Sequence, residues 1–335
     1  MLVRCLATGI LLTTIQAAPF AYIANYSGAS LSVIDTATNT VVATVGVGVG
    51  PFGVVVNQAG TRVYVTNETS NTVSVIDTSS NTVVATIPVG TGVMPVPSGV
   101  AINPAGTRLY VALGNNNMVS VIDTSSNTVV ANVNPGRGCY GLAVNPAGTR
   151  LYVANVADST VAAIDTTSNT VIASITVGGS MTYPEGIVVH PAGTRVYVTN
   201  AGIPHSISVI DTSSNTVIAT FDVGGFGPAG IAVNPAGTRA YVAIGGSNSV
   251  GVIDTSSNTV VATIANVGTN PFGLSINPAG TRVYVANIGS NNVSVIDTSA
   301  NTVVASVVVG ANPYSLGAFI GGPGSSLLKR PPRHR

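Results

Sequence analysis

The chain has 335 residues, of which 45% are apolar and 7% are charged, and its formal net charge is +1. This balance excludes an intrinsically disordered chain, and the 38 glycines argue equally against a protein built from long helices. Val, Ile, Thr, Gly and Asn are frequent, which is typical of many short strands joined by tight turns.

Residues 1–18 have the pattern of an export signal. Arg4 precedes an apolar stretch that ends near Ile15, and the small residues Ala17 and Ala18 follow. The stretch is too short to cross a membrane as a helix, so we expect a secretory signal peptide over 1–18. The protein would then be periplasmic, secreted or attached to the cell surface. A cytoplasmic protein with an apolar first strand is the alternative.

A repeat dominates the rest of the chain. A tyrosine in a YVTN-like segment recurs seven times, and an aspartate follows each tyrosine after 13 or 14 residues. The tyrosines are Tyr22, Tyr64, Tyr110, Tyr152, Tyr197, Tyr241 and Tyr284, and the aspartates are Asp35, Asp77, Asp123, Asp165, Asp211, Asp254 and Asp297. One unit reads as four strands, A to D, with the sequences PFGVVVN, RVYVTN, TVSVID and NTVVATI. Four antiparallel strands in a repeat of this length predict a propeller blade.

The turns of the repeat have a physical explanation. Asn-Pro-Ala-Gly between strands A and B suits a type I turn, and Asp-Thr-Ser-Ser-Asn-Thr between C and D offers oxygens for local backbone bonds. A hairpin that pairs Asn67 with Thr72 sets Arg62 opposite Asp77. We therefore interpret the repeated Arg and Asp residues as structural ion pairs across strands B and C, worth about 0.5 kcal/mol each if exposed.

The two ends of the repeat complement each other. The first Tyr strand has no A strand before it, whereas NPYSLGAFI at 312–320 resembles an A strand with no B strand after it. The sequence therefore predicts an all-β, seven-bladed propeller over 19–321, closed by the C-terminal strand Pro313–Ile320 in the first blade. Residues 322–335 read as a basic disordered tail. An outer-membrane barrel is rejected because the strands are near six residues long and only 5% of residues are aromatic.

The repeated segments resemble a known family. VYVTN at 63–67 and 196–200, the VIDT segments and NTVVATI are similar to the YVTN-repeat β-propellers of the lactonase-like seven-bladed superfamily. The resemblance covers roughly residues 20–320 and implies the propeller fold and an extracytoplasmic location. Similar propellers include lactonases, redox-enzyme domains and binding modules, so the resemblance implies no single activity. No catalytic motif accompanies the repeat, and no catalytic residue is assigned.

The two faces of the predicted ring differ in variability. The A–B and C–D turns repeat nearly unchanged and share one face, here called the turn face. The B–C and D–A loops vary in length and sequence and share the other, here called the variable face. Because binding residues concentrate on loops held by a rigid scaffold, we expect any site on the variable face.

Departures from the repeat locate this site more closely. They cluster around the fourth and fifth blades, and the candidate ligand-binding residues are Arg137, Tyr140, Asp158, Glu185, His205 and Asp222. The alternative is that the charged members of this set are solvent-exposed side chains at the rim of the ring, with no role in binding. His190, which replaces the usual turn Asn, falls on the turn face and is interpreted as a local substitution. Phe52, Tyr140, Phe272 and Tyr314 are expected either to surround the channel mouth or to pack the D–A loops.

Other chemistry is sparse. The three histidines lack metal-ligand spacing, so we expect no metal and no cofactor. Without residues 1–18 and the tail, the body has seven basic and eleven acidic residues, which argues against nucleic-acid binding. We expect a monomer with no stable membrane anchor.

The functional prediction is a non-enzymatic scaffold that binds an unknown protein or small polar ligand through the variable face. One alternative is a lactonase-like hydrolase in which Glu185 and His205 act as acid, base or metal-polarising groups. The other is a structural component of a surface layer.

Overall fold

The computed structural model describes residues 19–90, 96–179 and 181–321, and these form seven four-stranded antiparallel sheets. The sheets are arranged as the blades of a ring, and each has its A strand innermost and its D strand outermost. The seven-bladed all-β prediction is confirmed. The predicted signal peptide and basic tail lie outside the described residues.

The strands follow the repeat. Blade 1 contains β1 (Phe20–Asn25), β2 (Ser30–Asp35), β3 (Thr40–Gly46) and, innermost, β28 (Ile320–Gly321). Blade 2 contains β4 (Pro51–Val56), β5 (Arg62–Asn67), β6 (Thr72–Asp77) and β7 (Thr82–Pro88). Blade 3 contains β8 (Pro97–Ile102), β9 (Arg108–Leu113), β10 (Met118–Asp123) and β11 (Thr128–Val133). Blade 4 contains β12 (Cys139–Val144), β13 (Arg150–Asn155), β14 (Thr160–Asp165) and β15 (Thr170–Thr176).

The remaining blades have the same organisation. Blade 5 contains β16 (Pro184–Val189), β17 (Arg195–Asn200), β18 (Ser206–Asp211) and β19 (Thr216–Asp222). Blade 6 contains β20 (Pro228–Val233), β21 (Arg239–Ile244), β22 (Ser249–Asp254) and β23 (Thr259–Ala265). Blade 7 contains β24 (Pro271–Ile276), β25 (Arg282–Asn287), β26 (Asn292–Asp297) and β27 (Thr302–Val308). Short 3₁₀ turns occupy the B–C loops of three blades, at Tyr26–Gly28, Gly114–Asn116 and Gly245–Ser247. Within the described part, no helix could cross a membrane.

The repeated tyrosines connect neighbouring blades. Their rings are at most 3% exposed and lie in apolar clusters that join one blade to the next. The hydroxyl of Tyr197 donates to the carbonyl of Thr255 at 3.2 Å, and that of Tyr284 donates to the carbonyl of Thr36 at 3.3 Å. Each of these bonds joins a B strand to the C–D turn of the next blade. The tyrosine ring therefore buries apolar area at the blade interface, while its hydroxyl group is hydrogen-bonded there.

The A–B turns have the predicted chemistry. In blade 4, the Asn145 side-chain oxygen accepts from the backbone N–H groups of Thr149 and Arg150, at 2.8 and 3.0 Å. Gly148 has φ 73° and donates to the Asn145 carbonyl, a backbone conformation that a side chain would strain. The conserved geometry of these turns makes the turn face uniform.

The ion pairs occur in the predicted register, with one exception. Arg62 lies opposite Asp77 and pairs with it, and the equivalent pairs form in blades 3, 4, 6 and 7. In blade 5, Arg195 lies opposite Asp211 but donates to the carbonyl of Thr255 in blade 6 at 2.7 Å. Blade 5 therefore differs from the other blades at both ends of its B–C hairpin. Its B–C loop is longer, and at the opposite end Arg195 has a different partner.

The C-terminal segment closes the ring, as predicted. Tyr314 and Tyr22 donate backbone bonds that connect this segment to β1, and Ile320–Gly321 pairs with β1 as β28. The segment is less regular than a full A strand because Ser315 and Gly317 have φ values of 51° and 123°. Its opposite edge accepts bonds from β4, since Val54 N–H donates to Leu316 and Val56 N–H to Ala318, at 3.0 and 3.1 Å. The segment therefore joins blade 1 to blade 2 as well as completing blade 1.

The outer strands carry a bulge in every blade. In blade 1, Val33 pairs with Ala43 and Ile34 with Val41, so Val42 is the extra residue. The corresponding residues are Val84, Val130, Ile172, Ile218, Val261 and Val304. All seven are exposed. A bulge twists an edge strand away from regular pairing, so it protects the circumference from association with other sheets.

The inner strands meet where the repeat has glycine at the third position of strand A. A Cβ on Gly141 would lie 2.0 Å from the carbonyl oxygen of Glu185, and one on Gly99 would lie 2.1 Å from that of Tyr140. Gly53, Gly186, Gly230 and Gly273 make equivalent contacts. The glycine is required because adjacent blades touch backbone to backbone around the axis.

Candidate functional site

The second residue of each A strand faces the variable end of the central channel. Four of these residues are aromatic and form the axial aromatic layer, Phe52, Tyr140, Phe272 and Tyr314. The Phe52 ring contacts the other three, with centroid distances of 5.7 Å to Tyr140, 5.8 Å to Phe272 and 4.9 Å to Tyr314. These rings come from blades that are not all adjacent, so the contacts cross the axis. The aromatic residues therefore cover the mouth instead of only surrounding it.

Glu185 occupies the same position in blade 5. Desolvation raises its pKa from 4.5 to about 7. Its charge also contributes to raising the pKa of Tyr140 well above 10, although burial of the Tyr140 hydroxyl is the larger cause. The sequence-predicted residues Glu185 and Tyr140 therefore lie in one electrostatic environment at the mouth.

Glu68 is a candidate site residue that is absent from the set predicted from the sequence. It lies in the B–C loop of blade 2, and desolvation raises its pKa to about 7 even though a hydrogen bond with Tyr26 lowers it. Its charge also raises the pKa of Tyr140. The sequence contained the signal, because Glu68 is the one glutamate at this position of the repeat. The predicted candidates all lie around blades 4 and 5, whereas Glu68 is in blade 2. Only ring closure brings blade 2 close to them across the axis.

Arg137 and Asp158 form a local ion pair in blade 4. Arg137 Nε donates to Asp158 Oδ1 at 2.7 Å, and the Arg137 backbone N–H donates to Oδ2 at 2.7 Å. These bonds, the backbone one first, lower the pKa of Asp158. The pair holds the loop before β12 against the B–C loop, and the Arg137 side chain remains 71% exposed.

His205 and Asp222 have partners in the loops of blade 5. His205 Nδ1 lies 2.9 Å from the carbonyl oxygen of Ala201, and the imidazole ring contacts Phe226 edge to face with centroids 5.5 Å apart. Asp222 accepts from the backbone N–H of Gly224 at 2.7 Å. Both residues therefore order loops on the variable face. The candidate residues separate into Glu185 with Tyr140 at the axis, the Arg137–Asp158 pair, and His205 and Asp222 farther along blade 5.

Exposed apolar side chains concentrate on the same face of blade 5. The blade-5 patch consists of Met181, Tyr183, Ile203 and Phe226, and Ile203 is 81% exposed. Ala201 N–H donates to the carbonyl of Tyr183 and Gly202 N–H to that of Thr182, at 3.0 and 2.7 Å. These bonds fix the lengthened B–C loop against the D–A loop. The patch is therefore carried by ordered backbone.

His190 lies on the turn face, as expected. Its Nδ1 accepts from the N–H of Ala192 at 3.1 Å, so Nε2 carries the proton and donates to the carbonyl of Gly237 at 2.8 Å. The first bond is local to the turn, although the usual Asn accepts instead from the N–H groups four and five residues later, and the second bond connects blade 5 to blade 6. His190 is therefore a structural residue with a contact that Asn does not make.

Most of the chain matches one protein family. The model of a family described as "Lactonase, 7-bladed beta-propeller" matches residues 35–171 and 125–309. The chain belongs to this family. No curated protein sequence gave a significant match to this lactonase-family propeller.

Two solved structures share the fold of this lactonase-family propeller. The first is hydrazine synthase from Kuenenia stuttgartiensis, with 25% identity, a TM-score of 0.75 and coverage of 88% of this chain and 99% of the other. The second is a functionally unknown protein from Desulfotomaculum acetoxidans DSM 771, with 20% identity, a TM-score of 0.77 and coverage of 91% and 99%. These similarities establish the architecture, and activity has to be argued from the site.

Proposed function

We propose that this lactonase-family propeller is an exported binding protein that captures a partner protein on the variable face of blade 5. The observation that carries this proposal is the blade-5 patch. Four large apolar side chains are exposed together in the one blade with a lengthened B–C loop. Exposed apolar groups that are held by ordered backbone are typical of protein interaction sites.

The electrostatics beside the patch support a partner with a basic group. Glu185 and Glu68 lie near the axial aromatic layer, and desolvation raises the pKa of each carboxyl group to about 7. A cation that reaches this mouth would stabilise the ionised carboxylates and interact favourably with aromatic rings. Apolar contacts at blade 5 would bury surface area in the interface. The carboxyl groups would favour a partner that carries a basic group.

The experiment compares two pairs of exposed residues. The protein is used to capture partners from extracts of its own host, with chemical cross-linking before washing. Ile203→Ser combined with Phe226→Ser should abolish retention of the partner. Val130→Ser combined with Val261→Ser, at similarly apolar positions on the outer strands, should leave retention unchanged. Equal retention by both double variants would exclude the blade-5 patch.

Point substitutions test the contribution of the polar residues. Glu185→Gln and His205→Ala should each weaken binding of the captured partner by about tenfold, the effect of losing one charged contact of about 1.4 kcal/mol. His190→Asn, on the turn face, should leave the affinity unchanged. A loss of affinity with His190→Asn and not with Glu185→Gln would place the site on the turn face.

A hydrolase is the second candidate, and one observation favours it. Two carboxyl groups with a pKa of about 7 are suited to accept or donate a proton near neutral pH, as ring opening of a lactone requires. A panel of lactones, followed by titration of the acid released, tests this activity. Hydrolysis that is lost in Glu185→Gln would replace the binding proposal. The surface-layer alternative remains a prediction, tested by whether the purified protein assembles into ordered sheets.

A further inference from the structure

Two glutamates lie next to the axial aromatic layer on different sides of the axis. Glu185 belongs to the ring of second A-strand residues, and it abuts blade 4 because a Cβ on Gly141 would lie 2.0 Å from its carbonyl oxygen. Glu68 follows β5 in blade 2, and its N–H donates at 2.8 Å to the carbonyl of Gly50, two residues before Phe52. The layer therefore has one carboxyl group on its blade-5 side and another on its blade-2 side.

Tyrosines connect Glu68 to the layer. The Tyr26 hydroxyl donates to the Glu68 carboxyl group, and the Tyr26 ring lies 5.3 Å from that of Tyr314, a member of the layer. Burial is the main cause of the raised pKa of Tyr140, and the charges of Glu185 and Glu68 add to it. Neither carboxyl group contributes to the pKa shift of the other. The Tyr140 hydroxyl therefore lies between two carboxyl groups that are separated from each other.

Polar groups at the mouth lack cationic partners. Within residues 19–90, 96–179 and 181–321, the Glu185 carboxyl group has no hydrogen-bond or ion-pair partner. No Arg, Lys or His in these ranges contributes to the pKa of Glu68, Glu185 or Tyr140. Ser98, the second A-strand residue of blade 3, is 1% exposed, and its hydroxyl also has no partner there. Because a desolvated carboxylate destabilises the protein unless it is paired, this arrangement favours a ligand that brings positive charge and N–H donors.

A metal ion fits the mouth less well than an organic cation does. The two carboxyl groups do not converge on one point, and the described part of the chain contains no group of three His, Cys, Asp or Glu side chains that could hold a metal. A continuous series of ring contacts instead connects the two sides, from Tyr26 through Tyr314 and Phe52 to Tyr140. Aromatic rings pack against methylene groups and attract organic cations.

We propose that the mouth binds an aliphatic diammonium compound, which lies along the axial aromatic layer with one ammonium group at Glu185 and the other at Glu68. The methylene chain packs on the rings, and the ammonium N–H groups donate to the carboxylates and to hydroxyl oxygens such as that of Tyr140. This site goes beyond the proposed capture of a protein, because it uses the axial aromatic layer and none of the four side chains of the blade-5 patch.

The test is isothermal titration calorimetry of the full chain at about pH 8, where both carboxyl groups are mostly ionised. Diaminobutane, diaminohexane and diaminooctane are compared with the monoamine and the diol of the same chain length. At least one diamine should bind saturably and about tenfold or more tighter than its monoamine, since the second ammonium group adds a charged contact. Its diol should bind more weakly than the monoamine. The proposal is overturned if no diamine exceeds its monoamine, or if calcium chloride binds as tightly as the diamine.

Matched substitutions locate the two ends of the diamine. Glu185→Gln and Glu68→Gln should each lower its affinity about tenfold, because each variant leaves one ammonium group without a carboxylate. Asp211→Asn removes one negative charge on the turn face and keeps an acceptor for the N–H groups of Ser213 and Ser214, so it should leave the affinity unchanged. Equal losses in all three variants would reduce the effect to net charge and overturn the site. A loss confined to one glutamate variant would overturn binding at two ends.

The blade-5 patch supplies a separate control. Ile203→Ser combined with Phe226→Ser should keep the affinity for the diamine, because neither side chain belongs to the axial aromatic layer. Diamine binding that is lost in this double variant and kept in Glu185→Gln would overturn the axial site. Loss of partner capture with unchanged diamine binding supports both proposals, since the two sites then act independently.

Discussion

At the scale of residues, the departures from the repeat have two different causes. Some are structural adjustments, such as His190, which accepts a bond within its own turn and adds a bond to Gly237. Others place a group in an unfavourable environment, such as Glu185, whose pKa desolvation raises to about 7. A residue that costs stability without improving packing is a better functional candidate than one that stabilises a turn.

The first prediction concerns the pH dependence of stability. The pKa of Glu185 is higher in the folded protein than the unfolded value of 4.5, so its contribution is fully present below pH 4.5 and is lost as the pH rises toward 7. Glu185→Gln removes this titration. Between pH 5 and pH 8, the free energy of unfolding should fall less in the variant than in the parent protein. The difference between the two falls should be at most about 2 kcal/mol, because partial exposure of the side chain reduces the effect. Denaturant titrations at the two pH values measure the difference, and parallel pH profiles would contradict it.

The second prediction concerns the blade 5–6 contact. His190→Asn keeps a turn acceptor but loses the bond to Gly237, so unfolding should become easier by about 0.5–1 kcal/mol. His190→Ala loses both bonds and should cost about 1–2 kcal/mol. Thermal or denaturant unfolding measures both. If His190→Asn were more stable than the parent protein, the inter-blade bond would contribute nothing.

At the scale of elements, each blade depends on one close approach at the axis. The A strands can converge because the third residue is glycine, and the D strands are protected at the circumference by a bulge. Strands B and C lie between the inner A strand and the outer D strand, and they contain the buried tyrosines and valines. The position of a residue within the unit therefore decides its role more than its chemical type does.

The third prediction tests the convergence of the A strands. Gly141→Ala would place a Cβ 2.0 Å from the Glu185 carbonyl oxygen, so the strands must separate. We expect a loss of about 3 kcal/mol or more in the free energy of unfolding. Gly46→Ala is the control, because a Cβ there meets nothing within 4 Å, and it should have little effect. Denaturant unfolding compares the two, and similar effects would contradict backbone contact as the reason for glycine.

At the scale of the whole molecule, closure is the decisive contact. The C-terminal segment bonds to β1 on one side and β4 on the other, so it connects blade 1 to blade 2 as well as completing blade 1. Closure joins the two ends of the chain and removes an exposed edge that an open array would have.

The fourth prediction tests closure by truncation. Deleting the chain from Asn312 onward removes the bonds to Ala24, Tyr22 and β4, and should lower the melting temperature strongly. Deleting from Gly322 onward leaves these bonds intact and should change it little. Differential scanning calorimetry measures both proteins. Small and equal effects would mean that the ring does not depend on this segment.

The sequence by itself determined the fold, because the Tyr and Asp positions recur in seven units and the A–B turn and the Arg–Asp register recur in six. It also selected Glu185 and Tyr140 as candidate site residues, since departures are visible against nearly identical copies. Only the tertiary structure decided which of the residues that depart from the repeat lie close together. Glu68 is 117 positions from Glu185, and only the closed ring brings both charges to Tyr140. The partner of Arg195 and the layer across the channel mouth likewise depend on contacts between blades, which sequence spacing within one blade does not specify.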